Sequence, residues 1–170
     1  MKPEIQRYGY KEIIMKILPG ALLALLLFAL VSCDSPDIYD RYKAVGKEGW
    51  HKDDIIAFNP TIPDTTTRYN FIINLRHTTD YGYRNLYLFT NTHFPNGDVA
   101  RDTIELMVAR KSGEWLGKGF GAIKTYRQLL LKGVRFDQQG DYVFEFRQAM
   151  REDTLMGVED IGLQIQKFQK

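Results

Sequence analysis

The sequence predicts an all-β fold, an antiparallel β-sandwich of about seven to eight strands in a jelly-roll or immunoglobulin-like arrangement. Three observations carry the prediction. Apolar residues recur with period two in short segments from Tyr69 to the C-terminus, the signature of strands with one buried face. Turn-forming groups separate those segments: Asn59-Pro60, Pro95-Asn96-Gly97-Asp98, Lys111-Ser112-Gly113 and Gln139-Gly140-Asp141. These residues supply the fixed or positive φ that a chain reversal needs. No long amphipathic helix pattern and no internal repeat occurs after Cys33.

The N-terminal element is a processing segment. Residues Ile17 to Val31 form an apolar run broken early by Pro19 and Gly20, short of the about 20 apolar residues that span a bilayer. Lys16, the apolar stretch and a small-residue boundary are the three parts of a secretory signal. The boundary Leu30-Val31-Ser32-Cys33 resembles the bacterial lipobox. Residues 1–32 therefore read as a signal peptide, with the true start expected at Met15. Cys33 reads as the lipidated N-terminus of the mature protein, carrying palmitate-type acyl chains. It is the only cysteine, so acylation of its thiol leaves no disulfide and no thiolate nucleophile. Residues 33–49 are polar with scattered tyrosines and read as a tether. Residues 50–170 read as the sandwich domain. The mature chain of roughly 140 residues is close to the commonest size of one domain.

The strands follow in order. In 69–77, Tyr69, Phe71, Ile73 and Leu75 take one face and Asn70, Asn74 and Arg76 the other. Leu86 and Leu88 oppose Tyr87 and Phe89, and Ile104, Leu106 and Val108 share a face. So do Tyr142, Phe144 and Phe146, and then Ile161, Leu163 and Ile165. The segment Ala122–Leu131, containing TYRQLLL, fits either a short helix or an edge strand.

The precursor carries formal charge +2, and four of its cations and two of its carboxylates fall within the signal. The mature domain is thus near neutral, without the concentrated basic footprint of a nucleic-acid-binding protein. No catalytic residues, metal ligands or cofactor are assigned. His51, His77 and His93 lack metal-binding spacing, no nucleophile elbow occurs, and the adjacent Asp53 and Asp54 would point to opposite faces of a strand. The glycine-rich stretch Gly113–Gly121 lacks the Lys-Ser/Thr pair of a phosphate loop. It reads as a turn with Trp115 and Phe120 folded inward; the functional alternative leaves Trp115 exposed as an aromatic platform. The charged run Arg147–Asp153 reads as a solvated hairpin, with Arg147 and Arg151 as candidate contacts. Ten tyrosines, ten phenylalanines and two tryptophans exceed what a core of this size requires. Tyr81, Tyr83 and Tyr87 are accordingly candidate binding residues, since outward aromatics suit interfaces.

Several segments, in order, resemble the GldH family of gliding-motility lipoproteins of Bacteroidetes. They are the Cys33 boundary, YGYRNLYLF (81–89), DTIEL (102–106), GEWLGKGFG (113–121), GDYVFEFRQAMREDTL (140–155) and GVEDIGLQI (157–165). The resemblance implies a cell-envelope lipoprotein associated with the machinery of gliding and adhesin secretion, with no catalytic motif. The expectation is a non-enzymatic accessory or scaffold component. It would be held by its N-terminal lipid, in the outer membrane rather than the inner, and bind envelope proteins. The alternative is a carbohydrate-binding module with a glycan partner. Stacked rings along a concave face would favour sugar, and a flat aromatic patch rimmed by charge would favour protein.

Overall fold

The computed structural model describes residues 37–169. The signal segment, the start at Met15 and the lipidation site Cys33 lie outside the described residues. The strands are β1 Asp37–Ala44, β2 Trp50–His51, β3 Ile56–Phe58, β4 Thr61–Ile62, β5 Tyr69–Thr78 and β6 Asn85–His93. They continue with β7 Val99–Met107, β8 Ile123–Val134, β9 Gly140–Asp141, β10 Val143–Gln148, β11 Thr154–Leu155 and β12 Val158–Lys167.

Two four-stranded sheets form the sandwich, one in the order β1-β12-β5-β8 and the other β3-β10-β6-β7. All their pairings are antiparallel. Among these long strands the chain changes sheet at every connection except the β6–β7 hairpin. Of the two arrangements the sequence leaves open, this nested order is the jelly roll. The short pairs β2–β11 and β4–β9 sit between the long strands in the chain.

The alternation read from sequence places the core. Ile73 and Leu75 of β5, Leu86 and Leu88 of β6, Leu106 of β7, and Ile161, Leu163 and Ile165 of β12 are fully buried, and Phe144 and Phe146 nearly so. Each such side chain contributes about 1.5–3 kcal/mol by leaving water. Aromatic contacts stitch the sheets together: Phe71 meets Phe144 with ring centroids 4.9 Å apart, and Tyr39 meets Phe58 at 6.4 Å. The ambiguous segment is the edge strand β8.

Four expectations change. Asp37–Ala44 is no tether; it is β1, paired along its length with β12. Its charges suit an edge strand, which is commonly guarded by them, and Tyr39 packs on Phe58 while the Tyr42 ring lies over Gly162. A Cβ at Gly162 would stand 2.7 Å from that ring. Phe120, expected inside, is fully exposed. Asn74 and Ile72, on the face opposite the core, are buried as well, because β5 is flanked by β12 and β8. The run after β10 is more than a solvated hairpin. The Gln148 side chain is buried, its Nε2 donating to Glu152 O at 2.8 Å and its Oε1 accepting from Met150 N–H at 2.8 Å.

Candidate binding face

The outer face of the second sheet presents two exposed aromatic rings among charged residues. On β6 the inward Leu86 and Leu88 force Tyr87 and Phe89 outward, where they remain 39% and 48% exposed. Register then supplies their neighbours. Phe89 pairs with Arg147 of β10 on one side and Thr103 of β7 on the other; Asn91 stands between Glu145 and Arg101; Tyr87 lies opposite Glu105. The Arg147 guanidinium sits 5.9 Å from the Phe89 ring centroid, a cation–π contact worth about 0.5–1 kcal/mol at an exposed site.

Polar order surrounds these rings. Asn91 Nδ2 donates to Glu145 Oε2 at 3.0 Å, and His93 Nε2 lies 3.2 Å from the same oxygen. The Asn91 amide, then His93, hold the Glu145 carboxyl below its ordinary range. The Glu105 carboxylate beside Tyr87 raises that phenol. A shallow depression of about 490 Å³, lined by Phe89, Asn91, Arg101, Thr103 and Arg147 among others, lies on this face. Among the described residues neither Tyr87 nor Phe89 pairs with another aromatic ring. The two side chains stand two residues apart on one strand, rimmed by charge.

The sequence-derived candidates divide accordingly. Tyr87 and Arg147 come together through Phe89. Tyr83 and Arg151 are exposed on connecting loops, where Tyr83 Oη donates to Glu152 Oε1 at 2.7 Å. Tyr81 is no surface residue: it is 3% exposed and its hydroxyl donates to Asn85 O at 2.8 Å, and burial raises its phenol. Trp115 is no exposed platform either. It packs against the core with its ring 4.6 Å from His77, while its backbone bridges Ala109. Sequence reasoning put Phe89 on an outer face without joining it to the site, and it missed Asn91, Arg101 and Glu145. Nothing local marks those three, since only strand register brings them beside Phe89.

Comparison with known proteins finds relatives over most of the chain. The gliding motility lipoprotein GldH homolog of Christiangramia forsetii is 37% identical over 153 residues, 86% of this chain and 92% of its own. Gliding motility lipoprotein GldH of Flavobacterium johnsoniae is 34% identical over 160 residues, 90% of this chain and 99% of its own. Among solved structures, dimeric latent PorU from Porphyromonas gingivalis aligns with 81% of this chain and 14% of its own. That alignment has 12% identity and a TM-score of 0.31, too slight a likeness to carry an argument. The profile of the GldH lipoprotein family matches residues 37–165, which takes in every long strand except the last two residues of β12, and the chain belongs to that family.

Proposed function

We propose that this protein is a lipid-anchored, non-enzymatic scaffold component of an envelope assembly serving gliding motility or the secretion linked to it. Cys33 carries the acyl chains, the outer membrane is the preferred site, and the outer face of β6, β7 and β10 docks a protein partner. The observation that carries the reading is the strip formed by Tyr87, Phe89 and Arg147. Aromatic rings with an adjacent arginine are the residues that most often dominate binding energy at protein interfaces. Their placement on a sheet surface, rimmed by Arg101, Glu105 and Glu145, supports a protein partner over a glycan, which would call for rings lining a groove.

The test uses two variants in membranes of the producing cells. Cys33→Ser is expected to move the protein from the membrane to the soluble fraction. Phe89→Ala combined with Arg147→Glu is expected to leave it membrane-bound and folded while abolishing the crosslinks to envelope proteins made from Tyr87 on the same face. A double variant that crosslinks as well as the parent, or a parent that enriches polysaccharide and no protein, would overturn the reading.

A further inference from the structure

The first sheet ends in a free edge that the chain has begun to cover. Thr125 near the start of β8 exchanges two backbone bonds with Lys118 of the glycine-rich loop: Lys118 N–H donates to Thr125 O at 2.9 Å, and Thr125 N–H to Lys118 O at 2.7 Å. Lys118 thus occupies the first rung of a fifth strand. The loop lies this close because its neighbours are glycines: a Cβ on Gly119 would stand 2.3 Å from Ile123 O, and one on Gly117 3.0 Å from Thr125 O. Past that rung the loop departs, and Leu116 N–H bonds Val108 O instead. Strand geometry turns the N–H and C=O of Arg127 and Leu129 to the same free edge as those of Thr125.

Below this edge the seam between the sheets is open. Gln128 Nε2 reaches across it to Glu105 O at 3.3 Å, closing the upper part. Beyond Gln128 the β5–β8 register slips, with Ile72 opposite Leu129 but Phe71 opposite Leu131. The extra residue, Leu130, is a bulge, and bulges re-aim side chains. Both Leu130 and Leu131 line an apolar cleft of about 500 Å³ with Phe71, Ile104, Val134 and Phe136. Leu131 remains 51% exposed. Lys132 and Arg135 lie along the open half, β8 holds no carboxylate, and neither forms an ion pair among the described residues, while the Arg127 side chain turns the other way and donates to Gln164 Oε1 on β12.

We propose that the β8 edge and the cleft beneath it accept an added strand, an extended segment of a protein partner with apolar residues at alternate positions and acidic residues between them. Its backbone would bond Arg127 and Leu129, continuing the rung that Lys118 starts. One face of its side chains would enter the cleft, and the acidic face would meet Lys132 at the open end. Asp102, Arg135 and Asp137 on the cleft wall balance one another's charge in part, and the mostly apolar remainder of the lining fixes the inward positions as apolar. This site is distinct from the β6–β10 face and does not rest on it.

The test places a photo-crosslinking benzoylphenylalanine at Leu131 of the full lipoprotein in the cells that make it, with the same group at Phe89 as reference. The expected product joins Leu131 to one segment of another envelope protein. Leu129→Pro removes a donor from the free edge without touching the β5 ladder, and it should lower that product about tenfold, the equivalent of one lost backbone bond with its stranded partner. Leu129→Ala should leave it unchanged, and neither should alter the Phe89 product. Thermal denaturation confirms that each variant is folded. Should Leu129→Pro not fold, Val134→Trp fills the cleft and should cause the same loss. A Leu131 product that survives the proline, or the tryptophan where that is used, would overturn strand addition. So would a product on lipid, a product on a second copy of this chain, or no product.

Discussion

Asp160 offers a stability test in which two opposing effects can be ranked. The residue lies on the outer face of β12, 8% exposed, with Oδ2 accepting from Arg76 Nη1 at 2.8 Å and Oδ1 without a hydrogen-bond partner among the described residues. The Arg76 side chain is 45% exposed, so solvent screens the pair and its worth is about 0–1 kcal/mol. Leaving the second oxygen dry costs about 1–3 kcal/mol. Desolvation should therefore outweigh the ion pair, in keeping with the raised pKa of this carboxyl, whose first cause is burial and whose partial offset is Arg76. Asp160→Val, which also suits a strand, is expected to stabilise the domain at neutral pH by about 1 kcal/mol, or roughly 3–5 °C in melting temperature. The pH dependence has a definite sign. A carboxyl whose folded pKa is raised binds its proton more tightly when folded, so its favourable contribution is complete below the unfolded value of about 3.9 and is lost as pH rises through the folded value. The advantage of the variant should accordingly shrink as pH falls from 7 toward 4. Melting curves of both proteins across that range decide the matter, and a variant that melts lower at neutral pH, or an advantage indifferent to pH, would refute the ranking.

His77 is fully buried with Nδ1 2.9 Å from Thr78 O, and burial holds its pKa below the ordinary value. Stability should fall as pH drops below about 6.5, where the unfolded chain binds the proton first, and His77→Phe should flatten that slope in urea titrations at pH 5–7. Gly157, at φ 82°, would bring a Cβ within 2.8 Å of Tyr81 Cα, so Gly157→Ala should cost about 2–3 kcal/mol, read as a lower urea midpoint at unchanged slope. A flexible Gly-Ser insertion between Ser35 and Pro36 should leave the melting temperature unchanged while lowering the crosslinks made from Phe89 in cells; unchanged crosslinks would show that distance from the membrane is immaterial.

Much of the sandwich was legible because side-chain alternation is local. β5, β6, β10 and β12 each keep a strict inward set, and the turns between them carry their own punctuation. The parts that escaped are those decided at a distance. β1 reads as polar linker because an edge strand has few inward residues, and the space that receives Tyr42 is made by Gly162, which lies far along the chain. TYRQLLL is ambiguous because the bulge at Leu130 sets apolar residues side by side, erasing period two where a strand would show it. Tyr81 and Tyr83 sit in a connection where no period applies, so burial of one and exposure of the other depends on the loops that meet them. The binding face was half visible for the same reason: alternation sends Tyr87 and Phe89 outward, but only register brings Arg147 and Arg101 beside Phe89.

The early start of β1 bears on how such a face could work. Only positions 34–36 separate Cys33 from Asp37, so an acyl anchor on Cys33 would stand within about 14 Å of the folded domain. Asp37 pairs with Gln166 at the end of the first sheet, where β5 begins and β8 ends. Contacts of Tyr69 and Tyr142 with Phe136, and of Phe94 with Tyr142, bring the C-terminal end of β6 to that same end. Phe89 lies four positions up β6 from His93, about 13 Å along the strand. For an anchored domain these chain lengths would keep the aromatic strip within reach of the membrane surface. A partner that reaches such a strip must itself keep near the membrane, and for such a partner the anchor acts as a concentrating device, converting a weak contact into a lasting one.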